Sequence, residues 1–189
     1  VEAGASLWGI SEDDVVALEQ LQAFVRTWWQ TRLQTEEGWV LSAGEVLESF
    51  DGERFGEEDV RRIDRWWAHV TESKVLSFTR AFDTGVRALN EMLLQRVRAE
   101  FEAQSHHMLL PGVPMVMVRS DHPRDLHRGD EVLLMPVRQE GEVELMALVP
   151  KEGGYRALSL SGLRTQLDVA FATTVHRAQG AVYKHAAMV

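Results

Sequence analysis

The stretch KVLSFTRAFDTGVRALN, Lys74 to Asn90, decides the fold class. Its first part, Lys74 to Thr79, is a short apolar run of strand type. Arg80 to Thr84 is a polar loop. Gly85 then opens a long amphipathic helix through Val86, Leu89, Leu93 and Val97, apolar at helical spacing. Strand, polar loop and helix make half of a βαβ unit, which predicts an α/β protein. In open α/β sheets, ligands sit at the C-terminal ends of strands. Arg80 lies at that spot. On spacing alone, a solvated loop arginine is the plainer reading of it.

Upstream the chain reads as helical. SEDD, Ser11 to Asp14, is a start of capping-box type with acids in the first turn. Leu18, Leu21, Val25, Trp28 and Trp29 follow at helical spacing to about Leu33. SAGE, Ser42 to Glu45, predicts a shorter helix through Leu47 and Phe50. Glu57 to Val70 predicts another, with Val60, Ile63, Trp66 and Trp67 on one side. The two Trp-Trp pairs read as core and interhelix packing rather than as base-stacking platforms.

Downstream of Val113 the chain is rich in strand signals. Pro114 to Arg119 predicts a strand, and Ser120 to Asp130 a loop with turn chemistry. EVLLMPV, EVELMALV and YRALSL predict three more strands, separated by QEGE and KEGG turns. Such spacing predicts a small antiparallel barrel or meander. Leu167 to Val175 predicts one further strand. It runs into TTVHRAQG, Thr173 to Gly180, where a helical turn ends at Gly180 and a last strand follows.

Composition bounds the function. The 189 residues fit one large domain or two small ones, and 45% apolar content supplies a core. A formal net charge of -9 argues against a free-standing, charge-driven nucleic-acid binder. The positive charge is almost all arginine, a residue suited to phosphate forks; the lysines are Lys74, Lys151 and Lys184. There are no cysteines, so disulfides and thiolate metal sites are excluded, which suits a cytoplasmic location. No apolar run reaches membrane-spanning length, so no membrane partner is expected. His106 and His107 adjoin, and His122 and His127 share a loop. None has a carboxylate at metal-ligand spacing, so no metal site is predicted. The sequence holds no GxxxxGK[ST] loop to cradle a nucleotide's phosphates and no obvious nucleophile-base pair. Val1 at the start and AAMV, Ala186 to Val189, at the end read as the edges of a piece of a longer protein.

Three segments, in this order, resemble one family. FTRAFDTGVRALN, Phe78 to Asn90, is similar to a helicase motif with an arginine, a Gly-Val pair and a Leu-Asn pair. PMVMVRSDHPRDLHRGD, Pro114 to Asp130, is similar to the segment written v-m-v-x-R-N-D … l-x-N-G-D. FATTVHRAQGAVYKHAAMV, Phe171 to Val189, is similar to the motif written T-x-H-K-x-Q-G-S-E-F. The family is that of RecD, the exodeoxyribonuclease V alpha subunit, and related superfamily 1 DNA helicases that move 5′ to 3′.

The resemblance implies part of a RecA-like domain of the P-loop NTPase type, with a helical N-terminal half and an inserted SH3-like antiparallel barrel. Residues 1–128 would be the helical and α/β part of the second RecA-like domain, 129–163 the insertion, and 164–189 the return. It further implies an ATP-dependent helicase acting in double-strand break repair and recombination. ATP and Mg²⁺ would serve the whole protein and remain absent from this piece, which would be inactive alone. Arg80 would reach the γ-phosphate as the catalytic arginine, and Gly180 would border the cofactor. Thr174, His176, Arg177, Gln179 and Asn90 would contact single-stranded DNA. RecB- and RecC-like subunits are implied as partners. The sequence departs from the pattern at Val182, where a glutamate is usual, at Arg177 for lysine, and at Ser120 and Arg128 for asparagines. Two alternatives stay open: a subunit with a degenerate ATP site, and a non-enzymatic helical and SH3-like module that binds protein or nucleic acid.

Overall fold

Trp39 stands at the centre of the core with no exposed surface, and the surrounding chain is arranged to cover it. In the computed structural model, which describes residues 18–36, 38–82, 84–101 and 109–189, it stacks on Trp29 at 5.1 Å and meets Trp66 edge-on at 4.8 Å. Its indole N–H donates to the Pro111 carbonyl at 2.8 Å, and that of Trp66 donates to Gly112 at 3.1 Å. Gly112 has φ +79°. A Cβ there would overlap the Ala43 side chain and come within 2.8 and 2.9 Å of the Trp66 and Trp39 indole nitrogens. Glycine is therefore the residue that fits between the two rings. Trp28, Trp29 and Trp66 are buried, and Trp67 is partly buried against Tyr155, so the Trp-Trp pairs are packing residues.

Among the described residues the fold is mixed α/β, with four helices and two sheets. Helix α1 spans Leu18–Trp28 and continues as a π-helical turn, Trp29–Leu33. The expected start at Ser11 to Asp14 lies outside the described residues. Helix α2, Trp39–Gly44, differs from expectation. Its N-cap is Gly38, and Ser42 sits inside it, donating to the Gly38 carbonyl at 2.9 Å. The helix predicted through Leu47 and Phe50 is extended chain instead. Leu47 forms a parallel bridge with Val137, donating to Pro136 O and accepting from Arg138 N, both at 2.9 Å. Sheet pairing there overrides local helical spacing. Helix α3 spans Glu57–Thr71 and places Glu57, Glu58 and Asp59 in its first turn, as the helix dipole favours.

Strand β1, Ser73–Ser77, and helix α4, Val86–Glu100, form the expected half βαβ unit. Five strands then build an antiparallel sheet: β2 Pro114–Met117, β3 Glu131–Gln139, β4 Glu142–Lys151, β5 Gly154–Ser159 and β6 Leu167–Val169, in the order β5-β4-β3-β2-β6. The QEGE turn closes through Glu140 and Gly141, both at positive φ, the backbone that tight hairpins use. The sheet is wider than the insertion expected over 129–163, taking in β2 before it and β6 after it. β5 and β6 are its edges, and no closed barrel occurs among the described residues. Closure requires the edge strands to pair with each other.

The expected single strand Leu167 to Val175 is two strands in two sheets. β6 pairs antiparallel with β2. β7, Ala172–Thr174, pairs parallel with β1, whose other neighbour is the parallel strand β8, His185–Met188. Ala170 and Phe171 carry the chain between sheets and are buried. A continuous apolar run gives no warning of such a change of sheet. Buried backbone groups need partners, and two side chains supply them. Lys74 Nζ donates to Ala170 O at 2.7 Å. Asn90 donates to Val169 O at 2.7 Å and Ala172 O at 3.3 Å, and accepts from Ala172 N at 2.7 Å.

Candidate functional site

β1 and β7 run side by side and in the same direction, with Ser77 opposite Thr174. The loop after β1 and the turn after β7 therefore emerge at the same end of the sheet. Between them and the antiparallel sheet lies a cleft of about 510 Å³.

The loop after β1 is built on Ser77. Its buried hydroxyl has one proton to share between the Thr84 and Thr79 carbonyls, at 3.0 and 3.2 Å, and accepts from the Thr79 N–H at 3.2 Å. Val86 N and Arg87 N donate back to Thr79 O and Arg80 O, so the loop folds onto the start of α4. Gly85 is required there, because a Cβ would run into the Ala81 carbonyl. Arg80 is exposed at the strand's C-terminal end and lines the cleft. Phe78 and Phe82, on either side of it, are largely exposed.

The TTVHRAQG stretch forms turns over residues 175–180 rather than the start of a helix. Thr174 organises it: its carbonyl accepts from Arg177 N at 3.0 Å and Ala178 N at 3.1 Å, and its hydroxyl accepts from Arg177 N at 3.3 Å. The Arg177 and Ala178 backbone N–H groups are thus already engaged within the turn. Thr174 and Arg177 line the cleft with Arg80. His176, Gln179 and Gly180 are exposed but are not among the lining residues; Gly180 has φ +84° and turns the chain away. Val182 is 96% exposed.

Asn90 is put to a different use from the expected DNA contact. Only 7% exposed, it spends its whole amide on the backbone that crosses between sheets. It borders the cleft and fixes the position of β7, and through β7 the turn that carries Arg177.

Four contributors were given no role at the site from the sequence. Lys74 is buried and pairs with Glu131 at 2.9 Å, tying β1 to β3 at the floor of the cleft. Tyr183 is half-buried beside them; burial, and then the Glu131 carboxylate, raise its hydroxyl above the usual tyrosine range. Arg87 is in the first turn of α4, and Arg128 is in the turn between β2 and β3; both are exposed and line the cleft. Arg87 had a signal: a cation in a helix's first turn opposes the dipole and asks for a reason. Arg128 stood out only as a departure from the asparagine of the resembling family, and nothing local shows which way the turn between β2 and β3 faces.

Asp121 sits at the base of that turn. The Arg124 guanidinium, 2.6 Å away, holds its carboxyl below the usual carboxylate range. Among the described residues, no group of three or more histidine and acidic side chains could hold a metal ion; His106 and His107 lie outside them. No described helix is long and apolar enough to cross a membrane. No protein-family model matches the chain, and a search of curated proteins returns no match.

Proposed function

We propose that this chain forms part of the second RecA-like domain of a RecD-like, ATP-dependent DNA helicase, a motor that moves 5′ to 3′ along single-stranded DNA. One observation carries this reading. Arg80 and Thr174 leave neighbouring parallel strands at the same end and open onto one cleft, with Arg177 beside them. Sequence motifs that lie about ninety residues apart are thereby brought into one ligand-facing surface, where open α/β sheets take their ligands. The open antiparallel sheet stands where the family's SH3-like insertion is expected.

In this reading each residue has a task. Arg80 presents a planar guanidinium to the γ-phosphate and neutralises charge that builds on its oxygens. Thr174 and Arg177 hold the DNA backbone by hydroxyl and guanidinium contacts. His176 and Gln179, exposed on the same turn, extend that contact along the strand, and Gly180 shapes the exit. ATP, when bound, supplies the phosphoryl group whose release drives movement. The residues present fit its phosphates and not its metal, so the phosphate cradle and Mg²⁺ carboxylates belong to another part of the motor. RecB- and RecC-like subunits are the corresponding partners.

The test is binding of a labelled oligothymidylate to the purified chain, followed by fluorescence anisotropy across a salt series. Binding is expected to be weak, with log K falling against log salt by about 0.7 per phosphate contact. Arg177→Ala should weaken binding and flatten that slope by about one contact. Tight, salt-insensitive binding, or binding indifferent to Arg177, would contradict the proposal.

A further inference from the structure

The cleft carries more positive charge than the proposed function uses. Of its lining residues, Lys74 is cancelled by Glu131, and Glu91 is cancelled by Arg98 at 2.9 Å. Arg80, Arg87, Arg128 and Arg177 remain, against Asp168 alone, and among the described residues none of these five forms an ion pair. A concentration of guanidinium groups in a protein of net charge -9 runs against the rest of its surface. Like charges gathered in a concavity repel one another until an anion enters, and the walls focus the field on that anion.

The four arginines come from four segments: the loop after β1, the first turn of α4, the turn between β2 and β3, and the turn after β7. Both sheets contribute. The Arg177 guanidinium reaches across to the β2–β3 turn, lying 3.7 Å from where a Cβ on Gly129 would stand, next to Arg128 in sequence. Arg128 is held ready by its backbone, which donates to Ser120 Oγ at 3.0 Å while its side chain stays exposed. Arginine's planar fork suits phosphate oxygens better than any other side chain does.

We propose that Arg87 and Arg128 complete, with Arg80 and Arg177, a site for a ligand carrying several phosphates in a row. Arg128 makes the antiparallel sheet one wall of that site. The assignment rests on the cleft being the ligand face of the reading above, but not on the ligand being DNA. The shared chemistry is a chain of phosphates, which either a nucleic-acid backbone or a nucleotide's polyphosphate tail supplies.

The experiment measures binding of two probes, inorganic tripolyphosphate and a labelled oligothymidylate, to the 189-residue chain at low salt. Arg87→Ala, Arg128→Ala and Arg128→Glu are compared with Arg61→Ala, an exposed arginine of α3 that removes the same charge away from the cleft. Each cleft alanine should weaken binding roughly threefold to tenfold and remove about one contact from the salt slope of the oligonucleotide. Arg128→Glu should weaken it further, and Arg61→Ala should leave it nearly unchanged. Arg128-dependent binding of tripolyphosphate without binding of the oligonucleotide supports the phosphate site and counts against the DNA reading. Oligonucleotide binding that ignores Arg87 and Arg128 overturns the inference and leaves the DNA reading standing. The inference also fails if Arg61→Ala weakens binding as much as the cleft variants do, or if neither probe binds.

Discussion

Replacing Asn90 tests how the site is held in place. Asn90→Ala removes three hydrogen bonds to the backbone of Val169 and Ala172. Each is worth about 1 kcal/mol net, and a buried polar group left without its partner costs about 1–3 kcal/mol more. The expected loss is therefore about 3–5 kcal/mol, which for a chain of this size lowers the melting temperature by roughly 10 °C. Asn90→Asp is the sharper probe. The new carboxylate can still accept from Ala172 N, but its other oxygen faces the Val169 carbonyl, which is 2.7 Å from the present amide nitrogen. Burial and that repulsion raise the folded-state pKa above the unfolded value of about 3.9. The sign follows: the protonated form donates to Val169 O, so the missing stability is present below the unfolded pKa and is lost as pH rises through the raised folded pKa. The gap between Asn90→Asp and the parent should be wide at neutral pH and narrow as pH falls. Urea unfolding followed by the fluorescence of the six tryptophans measures both variants. An alanine variant within about 1 kcal/mol of the parent, or an Asp gap that widens toward acid, would refute the clamp.

Two further outcomes test the packing around the site. Gly112→Ala should cost about 3 kcal/mol or more, because its Cβ enters the space between Trp39 and Trp66 at a positive φ; a loss under about 1 kcal/mol would contradict this. Glu131→Ala leaves the buried Lys74 ammonium with only the Ala170 carbonyl, so it should be less stable than Lys74→Met/Glu131→Leu by about 1–3 kcal/mol; the opposite order in urea unfolding would show that the Lys74 ammonium is not buried as described.

The local signals in the sequence were sound where periodicity and turn chemistry agree. Gly85 and the apolar spacing after it mark α4, and the Gly141 and Gly153 turns mark the β3 to β5 meander. Long-range pairing was hidden. Leu47 reads as helical until Val137 offers it a backbone partner, and Leu167 to Val175 reads as one strand because its change of sheet rests on Asn90 and Lys74, far away in sequence. The site was legible by halves. Arg80 and Thr174 were visible as residues at strand ends, and the structure brings them to one cleft. Asn90 drew attention as a DNA contact, and its hold on the backbone of Val169 and Ala172 was hidden, since burial is not written in a Leu-Asn pair. Arg128 belongs to the cleft only because the antiparallel sheet folds back against β1.

The most direct measurement takes the Arg80→Ala variant in a protein that joins this chain to the nucleotide-binding domain the helicase reading requires, and records its DNA-stimulated ATP hydrolysis. Arg80 sits at the end of β1 with its side chain exposed to the cleft. An arginine that stabilises charge on the transferring phosphoryl group is worth roughly 10³ to 10⁵ in turnover. Turnover is predicted to fall on that scale, while affinity for single-stranded DNA without nucleotide falls no more than roughly threefold to tenfold, as for the other cleft arginines, because Thr174, Arg177 and their neighbours are intact. Arg80→Lys should recover little, since a point charge does not reproduce the guanidinium fork. An alanine variant that keeps most of its ATP hydrolysis, or that loses DNA binding in step with it, would contradict the account and return Arg80 to the role of a surface loop residue.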